Sequence, residues 1–403
     1  MEESKTAPSL WQHARLITGV GVAWLFDAMD VGMLSFILAA VAPEWHLTAT
    51  QSGLIGSISS LGMALGAVLF GMMADRIGRK AVLIITLLVF SMGSALSALA
   101  NGYVMFMALR FIIGAGLGGE LPVASTLVSE SVAPQHRGRS VVLLESFWAV
   151  GWLLAALVSY FVIPHWGWRV SVLITGCTAL YALYFRGGIN ESPVFEAEKP
   201  QRRSFFSALR ALWQPQLRRA TAMLWIVWFM VVFSYYGMFL WLPSVMVLRG
   251  YDLIHSFGYT LLMTLAQLPG YFVAAWLIEK WGRKPVLIVF LTGTELSALA
   301  FGAAANLAML LTAGALLSFF NLGAWGALYA YSPEQYPDSI RSSGSGMAAG
   351  VGRLGGIVGP LATGAMVASG VSFTAIFGLF TAAVLIGAAA VAWLGRETLV
   401  KAR

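Results

Sequence analysis

Apolar residues along this chain come in blocks, each about as long as the roughly twenty residues a helix needs to cross the hydrocarbon core of a bilayer. Twelve such blocks are readable: 17–41, 52–73, 82–100, 103–129, 141–162, 168–185, 220–243, 257–278, 286–303, 307–330, 344–367 and 372–394. Most are parted by short polar gaps. The gap at 186–219 is longer and divides six blocks from six. The pattern predicts an all-α membrane protein of twelve transmembrane helices, with an N-terminal half over 1–185, a central loop over 186–219 and a C-terminal half over 220–403. Pro43, Pro164, Pro243 and Pro285 fall at block ends, where a helix best tolerates a missing N–H.

Composition strengthens this reading. Apolar residues make up 59% of the 403-residue chain and charged residues 11%, against about 25% charged in soluble domains. Lipid must therefore be the main solvent. A net charge of +7 would suit nucleic acid, but the placement of the basic residues does not. With the N-terminus in the cytosol, 21 of the 25 Lys and Arg fall on inner segments. Seven of these lie in the central loop: Arg186, Lys199, Arg202, Arg203, Arg210, Arg218 and Arg219. That asymmetry predicts both termini inside and accounts for the charge with no nucleic-acid partner. Met1 to Arg15 mixes charges and lacks an apolar core with a small-residue cleavage site, so it reads as a cytosolic tail. Cys177 is the single cysteine, which excludes an internal disulfide, and the five histidines form no ligand spacing. No metal, cofactor or enzyme chemistry is expected.

The two halves repeat one another. Asp75-Arg76-Ile77-Gly78-Arg79-Lys80 recurs as Glu279-Lys280-Trp281-Gly282-Arg283-Lys284, 204 residues on. Glu130 and Arg137 recur as Glu334 and Arg341 at the same offset. Two loop pairs sharing one offset indicate a duplicated six-helix unit, and such repeats place a substrate path between the copies. Gly71-x-x-x-Asp75-Arg76-x-Gly78-Arg79-Lys80 resembles the helix 2–3 loop signature of the major facilitator superfamily. Acids beside bases in these loops can form charge pairs that lock one conformation, which makes Asp75, Arg79, Glu130, Arg137, Glu279, Arg283, Glu334 and Arg341 candidate gating residues; plain anchoring by basic loops is the bland alternative.

A finer resemblance covers nearly the whole chain. Arg110-Phe111-Ile112-Ile113-Gly114, continuing through Gly118-Gly119-Glu120-Leu121-Pro122, is similar to the organic-ion and metabolite:proton symporter branch. So are Pro333-Glu334-Gln335-Tyr336-Pro337 and Gly352-Arg353-Leu354-Gly355-Gly356. Leu143-Leu144-Glu145-Ser146-Phe147-Trp148-Ala149-Val150-Gly151-Trp152 most resembles bacterial niacin (nicotinate) transporters.

Charges within the blocks need a reason, because each costs at least about 2.5–3.5 kcal/mol at a helix centre. They are Asp27 and Asp30 in the first block, Arg110 and Glu120 in the fourth, Glu145 in the fifth, Glu295 in the ninth and Arg353 in the eleventh. Counting 1.5 Å per residue puts Asp30 and Arg110 at a similar depth, roughly 12–15 Å, so they can pair. In proton-coupled relatives the matching pair handles protons, which the resemblance extends to Asp30 and Arg110. Asp27, one turn inward, is a second proton site, and Glu120 a further candidate; static pairing that orients helices is the alternative. Glu145 shares a face with Trp148 and Trp152 and is a candidate substrate-binding residue; carrying a proton or capping a polar network are the alternatives. Glu295, on a peripheral helix of this fold, reads as structural.

Arg353 lies about 15 Å into its block and has no acid elsewhere on that block. A buried guanidinium fits a carboxylate bidentately, and matching arginines in organic anion transporters bind the substrate anion; pairing with Asp27 or Glu120 is the alternative. Tyr235, Tyr236 and Trp148 match cavity aromatics of those relatives, and Gln267 stands where they place a cation. Trp325 lies near mid-helix, away from the interfacial belt that claims Trp45, Trp166 and Trp393. A cation, an amide and several ring faces suit a small aromatic carboxylate. The expectation is a monomeric, proton-coupled importer of nicotinate in the bacterial inner membrane, with no cofactor and with the lipid bilayer as its surroundings. Another aromatic acid of the benzoate type, or efflux by proton antiport, are the rivals.

Overall fold

The computed structural model describes residues 10–131, 137–178, 180–181, 205–337 and 340–398. Among them it contains helices and no strand. In the first half these are α1 (Leu10–Glu44), α2 (Ala49–Ile77), α3 (Arg79–Ser97), α4 (Tyr103–Ser131) and α5 (Arg137–Gly176). After α6 (Phe205–Leu212), the second half holds α7 (Arg218–Phe239), α8 (Leu242–Leu248), α9 (Leu253–Leu265), α10 (Gln267–Lys280), α11 (Arg283–Gly302), α12 (Leu307–Glu334), α13 (Arg341–Ala368) and α14 (Phe373–Leu394). Eleven spans among the described residues are long and apolar enough to cross a membrane. The twelfth is hidden in α5, where Gly167 at φ 79° and ψ 166° bends one limb into the next. The limb beyond Gly167 begins the block expected at 168–185, whose end lies outside the described residues. Of the central stretch, residues 186–204 also lie outside them.

Two expected helices are broken. The seventh block does not end at Pro243. It pauses after Phe239 and resumes as α8, with Pro243 in the first turn. A proline has no N–H for the carbonyl four residues back, but a first turn does not require one. The eighth block is likewise two helices, α9 and α10, meeting at Ala266. Pro269 there cannot donate to the Leu265 carbonyl, and it sits in the first turn of α10.

The duplication is visible in three dimensions. The helix pairs α2/α9, α3/α11, α4/α12 and α5/α13 begin at 49/253, 79/283, 103/307 and 137/341, each pair 204 residues apart. Gly78 and Gly282 both take φ 101° at the equivalent turn, a backbone region open chiefly to glycine. Gly66 on α2 lies so close to α4 that a Cβ would meet the Ala115 carbonyl oxygen at 1.9 Å; Gly270 on α10 stands in the same relation to Phe319 of α12, at 2.2 Å.

Within the first half α1 packs on α5 and α2 on α4; in the second, α7 packs on α13 and α12 on α10 and α11. The halves meet where α2 lies along α13 and α5 along α9. The seam is closed at one end only. A Cβ on Gly53 would lie 2.6 Å from the Pro360 carbonyl oxygen and 3.3 Å from the Gly364 Cα. One turn along, the Ser57 hydroxyl donates to the Ile357 carbonyl at 2.6 Å. At the other end, Gly71 of α2 and Gly346 and Gly350 of α13 face open space, with nothing within 4 Å of an added Cβ. The closed face also carries the turns around Glu44, Ala100 and Arg169, tied together by Arg169 donating to Glu44 at 3.0 Å and Ala100 at 3.2 Å. The open face carries the loops at 76–80 and 280–284 and the C-terminal segment, whose Glu397 accepts from the Arg283 and Lys284 amides.

Candidate functional site

Helices α1, α3 and α4 enclose the first group of charges. Asp30 and Arg110 form an ion pair at 3.0 Å with 1% of either side chain exposed. The second Asp30 oxygen accepts from Ser94 of α3 at 2.7 Å. The Arg110 guanidinium also lies 5.1 Å from the centroid of the Phe106 ring, a cation–π distance. The carboxylate is therefore fully supplied with donors, and the depth count from sequence matches the geometry. Asp27, a turn away on α1, turns its carboxyl to that of Glu120 on α4. Both are buried, and neither finds a hydrogen-bond donor among the described residues. Glu295 lies on α11, away from this cluster.

The second group lies between the halves. Arg353 of α13 donates to the Tyr236 hydroxyl at 3.3 Å and reaches the Met63 sulfur at 3.9 Å. No carboxylate among the described residues lies within ion-pair range of it. Tyr235, beside Tyr236 on α7, accepts from the Trp148 indole of α5 at 3.0 Å, a bond that bridges the halves. Its ring lies 5.0 Å from Trp325 of α12 and 6.0 Å from Trp152. Trp24 of α1 closes the box, 4.9 Å from Trp148. These separations are those of favourable edge and tilted ring pairs.

Further polar atoms on these helices are buried without partners. Gln267 opens α10 at the helix break, is fully buried, and bonds through neither amide atom. Both oxygens of Glu145, the Tyr271 hydroxyl, the Asn321 carbonyl oxygen and the Trp152 indole are likewise buried and unpartnered. Glu145 faces Arg353, Tyr271 and Tyr329. Buried polar groups in folded proteins are nearly always hydrogen-bonded, so such a concentration marks a place for a small polar ligand.

Sequence reasoning missed Trp24, Tyr271, Tyr329 and Asn321. Two of them were signalled by spacing. Trp24 stands three residues before Asp27, and Tyr271 four after Gln267, which puts each on the face of a singled-out residue.

The candidate gating residues gather at the open face. Arg79 is buried and donates to the Ala74 carbonyl at 3.3 Å, and Arg283 repeats that bond to Ile278 at 3.1 Å. Arg283 also pairs with Glu334 at 3.1 Å, and Arg341 donates to the Pro333 carbonyl at 3.1 Å. Glu279 is exposed and takes no part in the ion pairs among the described residues. The side chains of Asp75, Glu130 and Arg137 lie outside the described residues.

Comparison with known proteins bears on this arrangement. The sequence profile described as Major Facilitator Superfamily matches residues 20–266 and 256–402. A Bacillus subtilis (strain 168) protein that carries the name niacin/nicotinamide transporter NiaP is 60% identical, over 95% of this chain and 96% of its own. The niacin transporter NiaP of Acinetobacter baylyi is 47% identical, over 96% of this chain and 94% of its own. The xylose transporter XylE of E. coli, solved in a partially occluded inward-open conformation, shares the fold with a TM-score of 0.80 at 17% identity, over 98% of this chain and 100% of its own. Duplicated halves, a polar site at their seam and matches over nearly the full length lead to one family: the chain belongs to the Major Facilitator Superfamily and is a multi-pass secondary transporter.

Proposed function

We propose that this transporter imports niacin, as the nicotinate anion, into a bacterial cell through the inner membrane in symport with protons. The observation that carries the reading is Arg353: a guanidinium at the seam with no carboxylate in ion-pair range among the described residues. A bidentate carboxylate satisfies it. Trp148, Tyr235 and Trp325 offer ring faces for an aromatic ligand, Tyr236 flanks the guanidinium, and Gln267 and Glu145 supply polar contacts. The relatives named for niacin, at 60% and 47% identity, support the substrate.

On this reading Asp30 and Arg110 handle the proton. Protonating Asp30 releases Arg110 and lowers the cost of rearranging the first half. Asp27 and Glu120 form a second protonatable group. The loop charges at the open face act as the gate, 1–185 and 220–403 move as the two halves around the loop 186–219, and both termini lie in the cytosol. The open end then faces inward. A monomer suffices, since one chain supplies both sides of the site.

Uptake of labelled nicotinate into proteoliposomes tests the proposal. Saturable uptake should rise with an inward proton gradient, collapse with a protonophore, and disappear in Arg353→Ala. Absence of saturable uptake, or uptake unchanged in Arg353→Ala, overturns it.

A further inference from the structure

We infer that Glu145 stands in the cavity as a neutral carboxylic acid and donates a hydrogen bond to the ring nitrogen of the substrate, selecting pyridine carboxylates over benzoates. The inference rests on the niacin reading and assigns the group that recognises what distinguishes that substrate from other aromatic acids.

Position comes first. Glu145 lies on α5 one turn before Trp148, whose indole is bonded across the seam to Tyr235. Its side chain is 1% exposed, and neither oxygen has a partner. The titratable groups that face it are Tyr271 of α10, Tyr329 of α12 and Arg353 of α13. Of the other acids nearby, Asp30 is held by Arg110 and Ser94, and Asp27, which Arg353 also faces, lies against Glu120. The helix α9, which packs along α5 from the other half, holds no acid of its own; its cap Asp252 is exposed at the closed face beside His255.

Charge balance then decides the protonation state. Arg353 is the cation that faces Glu145, and it is also the group available to a substrate carboxylate. An ionised Glu145 would set a second anion beside the substrate carboxylate at Arg353, on a buried side chain where unpaired charge is most costly. A neutral Glu145 leaves Arg353 to the substrate carboxylate. A neutral carboxyl carries one O–H donor and a carbonyl acceptor. Tyr271, whose hydroxyl is also unpartnered, faces the same carboxyl. The ring nitrogen of nicotinate is an acceptor without a hydrogen and matches the O–H donor. Benzoate has a C–H in its place and leaves the buried O–H unmet, a loss of about tenfold or more in affinity.

Two readouts on the purified full-length protein test this. The first is displacement of labelled nicotinate by unlabelled nicotinate and by benzoate. The protein should prefer nicotinate by about tenfold or more. Glu145→Leu should abolish the preference by weakening nicotinate alone, and Glu145→Gln, whose amide still donates, should keep most of it. The second is the infrared difference spectrum on ligand addition. Nicotinate should shift a protonated-carboxyl carbonyl band that is absent in Glu145→Gln, and benzoate should not shift it. Retained preference in Glu145→Leu, or a nicotinate-induced band persisting in Glu145→Gln, overturns the inference. If the protein binds both acids equally well, the inference fails while transport of nicotinate stands; if it binds neither, the niacin reading itself fails. Should Glu145→Leu not fold, the infrared comparison with Glu145→Gln decides alone.

Discussion

At the scale of single residues, the membrane interior forces every charge to find company, and the two halves answer differently. Asp30 is paired and hydrogen-bonded on both oxygens, while Arg353 holds a phenol and a thioether. Removing one member of a buried pair strands the other, at a cost of about 3–5 kcal/mol. Arg110→Leu should therefore destabilise the protein by about that much in detergent, and Asp30→Asn with Arg110→Leu should recover part of the loss. Unfolding midpoints of the two single variants and the double variant measure the coupling; strictly additive losses would mean that the pair contributes no coupling energy. Both arms of this contrast were legible in the sequence, because depth along a helix follows from 1.5 Å per residue. Trp24 and Tyr329 were not. In a chain with 13% aromatic residues, a ring that packs and a ring that lines a cavity look alike until the partner helix is in place.

At the scale of elements, the sequence carried the number and order of the spans but not their interruptions. Hydropathy stays high on both sides of Ala266, so a broken span and a continuous one read the same. A proline at the end of an apolar block reads as a helix stop, yet burial of Leu242, Val245 and Met246 in the core starts a new helix with Pro243 in its first turn. The break at Ala266 is what brings the fully buried Gln267 to the start of a half-helix. Discontinuous spans of this kind typically mark transporter binding sites. Pro269→Ala restores a donor for the Leu265 carbonyl and so lets α9 run on into α10. The variant should be at least as stable as the parent, with slower amide hydrogen exchange around 265–270. Nicotinate affinity should fall, since the amide of Gln267 turns with the straightened helix. Unchanged affinity together with slowed exchange would show that the break plays no part in the site.

At the scale of the whole molecule, the duplication supplies two near-equal bodies and the seam between them supplies the motion. The repeat holds in helix starts, in the turn at Gly78 and Gly282, and in the close crossing at Gly66 and Gly270. It fails at the chemistry: 204 residues from Asp30, Arg110 and Glu145 stand Ser234, Gly314 and Ala349, and Arg353 answers to Ala149. The scaffold has thus stayed symmetric while the buried charges were divided between the copies. Rocking such halves about a central site opens one end as the other closes. The contact of Gly53 with Pro360 and Gly364 holds the present closed end. Gly53→Leu overpacks it, and overpacking costs about 1–3 kcal/mol. A penalty of that size on one state shifts the ratio of the two about 5- to 150-fold. In a Cys177→Ser background, Gly350→Cys should react with a membrane-impermeant thiol reagent from the cytosolic side, because its Cβ meets open space. Adding Gly53→Leu should slow that labelling several-fold and stop niacin uptake. Equal labelling rates with and without Gly53→Leu would mean that the two ends are not coupled, and labelling from the outer side alone would reverse the orientation argued from the basic loops.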